Sequence, residues 1–265
     1  TYPGTIRGVG AVAKAVRADA ETGFQPQTRD LEEAAPGARS LLINSPNNPT
    51  GVVYSEATMQ GICEVAKAHD LWVISDEVYD TQIWSGAHLS PRQLPGMASR
   101  CLLAGSLSKS HAMTGSRLGW LIGPAEVMEH VENLSTHTTY GVPGFIQDAG
   151  LFALAQGQKL EDQIAAPFRR RHKAVATYLA ARGVPVVPSV ASMYLMVDVR
   201  STGLSGEAFA ERLLGENHIA VMPGESFGTA AAGHLRVALT VEDTRLLDAI
   251  QTMADMIETL SADAA

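Results

Sequence analysis

Short apolar runs alternate with helical patterns along the first half of the chain. Residues 40–45 (SLLINS) read as a buried strand, 71–75 (LWVIS) as a second, 101–105 as a third and 118–122 as a fourth. Between the first two, Ser55 stands where a helix N-cap is expected. Met59, Ile62, Cys63 and Ala66 then recur at the spacing of one helical face. Strand, helix and strand at this spacing predict an α/β fold with a mainly parallel sheet.

The pattern changes in the middle of the chain. Residues 126–138 and 145–155 predict helices, and a longer helix over Gln158–Ala181 is expected to end at Gly183. Its basic run, Arg169, Arg170 and Arg171, reads as a solvated face. A strand at 193–199, a helix at 207–214, a strand at 234–239 and a closing amphipathic helix at 243–260 follow, which is α+β in character. We expect a domain boundary inside the long helix, giving a large domain over 1–170 and a smaller one over 171–265.

Composition narrows the class of function. A chain of 265 residues that is 46% hydrophobic and 18% charged can bury a sizeable core. A net charge of −8 argues against nucleic acid or an anionic membrane as the main partner. No apolar run is long enough to span a membrane. Cys63 and Cys101, with no CxxC, suggest neither a disulfide framework nor a zinc site, and no metal is expected; a cytoplasmic setting fits. The opening TYPGTIRG carries neither an initiator Met nor a signal-peptide pattern, so the expectation is that further residues precede it.

Four features sit at strand ends or in the turns just after them, where open α/β sheets bind ligands. In NSPNNPTG, two prolines and a glycine fix a turn that would hold Asn48 rigidly; alone, this is also what an ordinary turn looks like. In SDEVY, Asp76 ends an apolar strand and needs a partner, and Tyr79 lies three residues on. In GSLSKSHAMTGSRLGW, Lys109 stands among Ser106, Ser108 and Ser110, with Arg117 eight residues later. A solvated loop would explain that lysine and arginine equally well. In HLRVALT, Arg236 lies inside an alternating strand and calls for an anion, either a structural carboxylate or a substrate's.

One cofactor would use all four. A lysine amine can hold an aldehyde as a Schiff base, an aspartate can keep a pyridine nitrogen protonated, and a serine and an arginine can hold a phosphate. These are the needs of pyridoxal 5′-phosphate. NSPNNPTG, SDEVY, SLSK with Arg117, and HLRVALT, in this order and rough spacing, resemble the class I/II aminotransferases of fold type I. The resemblance runs the length of the chain. It implies a seven-stranded, mainly parallel sheet with helices on both faces, plus a smaller α+β domain. It implies that Lys109 holds the cofactor, that Asp76 pairs with the ring nitrogen, and that Asn48 and Tyr79 bond the ring oxygen. Ser106 and Arg117 would hold the phosphate, Arg236 with Asn48 the substrate, and Tyr2 would stack on the ring.

The activity so implied is transfer of an amino group from an L-amino acid to a 2-oxo acid such as pyruvate or 2-oxoglutarate, by a homodimer with shared sites. AHDLWVISDEVY, YGVPGFIQDAG and MVDVRSTGLS look most like the branch that uses arginine and pyruvate. The loop YGVPG is the expected reach between subunits. His111, Ser116, Ala191 and Ser192 depart from the usual family residues around the substrate pocket. Alternatives on the same scaffold are an aspartate-aminotransferase-like enzyme, a β-lyase, a decarboxylase, an amino-acid oxidase, or a non-catalytic regulator that binds the cofactor.

Overall fold

The structure is a computed structural model that describes residues 2–263. Its first layer is a sheet of four strands, β1 (Ser40–Asn44), β2 (Trp72–Asp76), β3 (Cys101–Ser106) and β4 (Gly119–Ile122), in that spatial order. β1, β2 and β3 are parallel, and β4 returns antiparallel to β3. The helices of this half are α1 (Tyr2–Gly8), α2 (Thr28–Ala34), α3 (Glu56–Ala68) and the single-turn α4 (Leu107–Ser110). Next come α5 (Ala125–Thr138), α6 (Gly144–Ala155) and the 24-residue α7 (Gln158–Ala181). The second sheet holds β5 (Tyr194–Asp198), β6 (Met222–Pro223) and β7 (His234–Ala238) in the order β5-β7-β6, all antiparallel. It packs with α8 (Gly206–Asn217) and α9 (Asp243–Asp263).

α3 starts where its sequence requires. The Ser55 hydroxyl accepts from the Thr58 N–H, meeting one of the orphan donors of the first turn. Met59, Ile62, Cys63 and Ala66 then bury one face against Ile43 of β1 and Val73 of β2. A second core gathers Val175 and Leu179 of α7, Leu195 and Val197 of β5, Phe209 of α8, and Ile250 and Met253 of α9. Burying one such side chain contributes about 1.5–3 kcal/mol.

Residues 189–192 join the two halves. The Gly51 carbonyl accepts from the N–H groups of both Val190 and Ala191, each at 3.1 Å. Trp84 donates its N–H to Val190, and Ser192 donates to the Gln82 carbonyl at 2.8 Å. The turn after β1 is thereby tied to the segment that leads into β5.

One expectation changes. The sheet has four strands among the described residues, not seven; three of them are parallel, so it is mainly parallel as expected, with β4 antiparallel. The link from β3 to β4 carries the four-residue α4 and a short turn at Thr114–Ser116, and it brings the chain back antiparallel beside β3. The count of seven came with the resemblance, and no further apolar runs in this chain supply it. No helix among the described residues is long and apolar enough to cross a membrane.

Candidate active site

The carboxyl ends of β1, β2 and β3 lie side by side, with Asn44 opposite Asp76 and Asp76 opposite Ala104. Each strand end hands its side chains to the same edge, the usual ligand edge of an open sheet.

After β1, the Asn44 side chain organises the turn. Its Oδ1 accepts from the Asn48 N–H at 2.9 Å, and its Nδ2 donates to the Asp76 carbonyl at 3.0 Å. Asn47 Oδ1 accepts from the N–H and hydroxyl of Thr50. Asn48 is thus fixed from behind, and its own Oδ1 accepts from Arg236 Nη1 at 2.8 Å, across 188 positions of sequence. Sequence reasoning missed Asn44 and Asn47; the asparagine-rich run NSPNNPTG was the available signal, since Asn stabilises turns through its side chain.

After β2, the Asp76 carboxylate accepts from the Val78 N–H at 3.3 Å and from the Tyr2 hydroxyl at 2.5 Å. Tyr2 therefore meets the site by its hydroxyl, on the carboxylate assigned to a ring nitrogen. Burial, then the bond to Asp76, pushes the Tyr2 phenol well above its usual value. Tyr79 is buried, and burial raises its phenol strongly, with the neighbouring Tyr194 phenol adding to the shift. Tyr79 is therefore a neutral O–H donor throughout the physiological range.

After β3, Ser106 caps α4. Its Oγ accepts from the Ser108 N–H at 3.0 Å and donates to the Leu118 carbonyl at 3.2 Å, so its hydroxyl is already engaged. Lys109 follows on that single turn, half-buried. Its carbonyl accepts from the fully buried Gln82 at 3.0 Å, which anchors the turn. Its Nζ has no hydrogen bond or ion pair among the described residues. His111 is buried beside it, with Nδ1 2.8 Å from Ser110 Oγ. Arg117 is exposed in the left-handed region (φ 53°), and Nη1 donates to the Thr114 carbonyl at 3.0 Å. It has no ion pair among the described residues.

Arg236, on β7, is held by rings and not by a carboxylate. Its guanidinium carbon lies 4.2 Å from the centre of the Tyr194 ring and 4.9 Å from that of Phe227. Its Nε is buried with no hydrogen-bond partner. The structural carboxylate that the sequence left open is absent among the described residues. Sequence reasoning missed both rings, which come from other strands and turns.

These donors fit a compound with an aldehyde, a ring nitrogen and a phosphate. Among the described residues there is an amine without a hydrogen-bond or ion-pair partner, a carboxylate at a strand end, a buried phenol and two guanidinium groups without a carboxylate partner. No group of three or more metal-ligating side chains occurs among the described residues. A cavity of about 670 Å³ lined by Glu77, Asp80, His88 and Ser90 includes none of these site residues. There, Glu77 takes the Ser90 hydroxyl at 2.7 Å and lies 2.9 Å from His88 Nε2.

The family description "Aminotransferase class I and II" matches residues 1–252. The chain belongs to that family. It is 42% identical over 256 residues to arginine–pyruvate transaminase AruH of Pseudomonas aeruginosa, covering 96% of this chain and 65% of that protein. It is 32% identical over 270 residues to an aspartate aminotransferase of Streptomyces avermitilis, covering 97% and 66%. Among solved structures, the aromatic aminotransferase of Pyrococcus horikoshii superposes with a TM-score of 0.90 at 30% identity, over 97% of this chain and 70% of that one. The aspartate aminotransferase of Thermus thermophilus with maleate gives 0.89 at 30% identity, over 96% and 66%. The chain thus spans about two thirds of the length of these relatives, and its α/β architecture is that of aminotransferases of fold type I.

Proposed function

We propose that this chain forms the greater part of a pyridoxal-phosphate aminotransferase that moves the amino group of an L-amino acid to a 2-oxo acid. The observation that carries the reading is the Lys109 amine, without a hydrogen bond or ion pair among the described residues, on the turn that follows β3, while Asp76 ends the adjacent strand β2. The cofactor supplies an electron sink for negative charge at the substrate's α-carbon.

The chain's own residues supply the rest. Lys109 would hold the aldehyde carbon and, when released, carry a proton to and from the substrate α-carbon. Asp76 would keep the ring nitrogen protonated, exchanging the Tyr2 hydroxyl for that N–H. Tyr79, neutral because its phenol is buried, and the Asn48 NH2 group would donate to the ring oxygen. Arg117 offers a fork of donors to the phosphate, and Ser106 joins it by leaving the Leu118 carbonyl. Arg236, with Asn48 on Nη1, would take the substrate carboxylate.

Arginine and pyruvate are the first pair to test, on the similarity to the Pseudomonas enzyme. The same reading includes a division at residue 170, supported by the two separate cores, and a homodimer. Exposed Tyr140, Phe145, Leu151 and Phe152, on and after the YGVPG loop, support an apolar contact there. The free, buried thiols of Cys63 and Cys101 suit a reducing cytoplasm. The test is alanine formation from arginine, pyruvate and pyridoxal phosphate. Activity that vanishes in Lys109→Ala is expected; equal turnover in that variant overturns the proposal.

A further inference from the structure

Tyr194 lies on β5 and Arg236 on the neighbouring β7. In their antiparallel register Tyr194 faces Ala238 and Met196 faces Arg236. Tyr194 and Arg236 are therefore diagonal neighbours on one face of the sheet, within reach of long side chains. The Tyr194 ring uses that reach to lie 4.2 Å from the guanidinium carbon. Its own position is fixed independently: it is 9% exposed and meets the buried Tyr79 ring edge-on, 6.0 Å between centres at 74°.

Arg236 needs such a support. Of its five N–H donors, one is bonded to Asn48 and the buried Nε is bonded to nothing. A guanidinium with a single neutral bond has no partner to define its plane, and a misaligned fork cannot accept a carboxylate bidentately. Phe227 also touches it, but more distantly and from a position 37% exposed. Tyr194 is the buried, doubly packed member of the pair.

We propose that Tyr194 is a positioning residue whose ring face, not its hydroxyl, sets the plane of Arg236 for a substrate carboxylate. This rests on the clamp role proposed above for Arg236. The ring attracts the guanidinium through its negative face and leaves the N–H edges free, so it orients the cation without competing for its donors. A carboxylate in the place of Tyr194 would neutralise the clamp.

The test compares Tyr194→Leu, Tyr194→Phe and Arg236→Met with the parent protein. Propionate, which has a carboxylate and no amino group, is titrated by NMR, and KM and kcat for the amino donor are measured separately. Tyr194→Leu should weaken propionate binding and raise KM by roughly tenfold, between the scales of an exposed and a fully desolvated cation–π contact, with kcat little changed. Tyr194→Phe should restore both values to near those of the parent. A Tyr194→Leu protein that binds propionate normally, while Arg236→Met does not, overturns this inference alone. A Tyr194→Phe protein as impaired as Tyr194→Leu overturns it too, by assigning the effect to the hydroxyl. Normal propionate binding by Arg236→Met removes the clamp itself, and this inference with it.

Discussion

Gly51→Ala should loosen the joint between the Asn48 turn and the segment that leads to Tyr194. Gly51 has φ 69°, in the left-handed region, where an L-residue costs roughly 1–2 kcal/mol. A Cβ there would also lie 2.6 Å from the Ala191 carbonyl oxygen and 2.9 Å from Ser189 Cβ. The first of these is backbone and cannot swing aside, and such overpacking typically costs about 1–3 kcal/mol. The two terms together give about 2–5 kcal/mol, a large share of the roughly 5–15 kcal/mol that holds a folded protein. Relief of the clash would stretch the two bonds from the Gly51 carbonyl to Val190 and Ala191. Urea unfolding measures the stability, and carboxylate titration measures the clamp, because Asn48 meets Arg236 across the same joint. Stability within about 0.5 kcal/mol of the parent, the range of an ordinary surface substitution, would refute the close approach on which the reasoning rests.

Three further outcomes are expected. Asp76→Asn keeps the shape and removes the charge, so turnover should fall at least a hundredfold, about 2.7 kcal/mol in barrier; a loss under about threefold would make Asp76 structural. Burial pushes the Cys63 thiol up to about 11 and the Cys101 thiol up to about 12. Iodoacetamide should therefore label them only as fast as the core around α3 opens, and rapid labelling of the folded protein contradicts their burial. Arg171 and Arg170 hold the Asp243 carboxyl below its usual value, and Arg182 does the same for Glu258. Folded values below the unfolded ones, roughly 4, mean stability that is present above that pH and lost as the pH falls through the folded values. The melting temperature should drop on acidification, less steeply in the variant Arg171→Gln with Arg182→Gln; identical slopes would exclude these pairs as the cause.

Much of the fold was legible because its signals are local. The cap at Ser55, the buried stripe from Met59 to Ala66 and the ends of α7 each depend on a few adjacent residues. The alternation HLRVALT showed that Arg236 stands in a strand, but not which strand would lie beside it. The contacts of Arg236 with Asn48 and Tyr194 depend on register between distant segments, which alternation alone leaves undetermined. The direction of β4 was hidden for a related reason, since an apolar run reads alike in parallel and antiparallel sheets. Tyr2 was placed at the site by resemblance, but its hydroxyl bond to Asp76 spans 74 positions and has no local signature.

Reductive trapping tests the central claim most directly. The protein is incubated with pyridoxal phosphate, reduced with borohydride, digested and mapped by mass. If Lys109 is the residue that holds the cofactor, the pyridoxyl label is found on the peptide containing SLSKSH, at Lys109, and disappears in Lys109→Ala. Label on Lys67, Lys159 or Lys173 instead, or none on Lys109, contradicts the account.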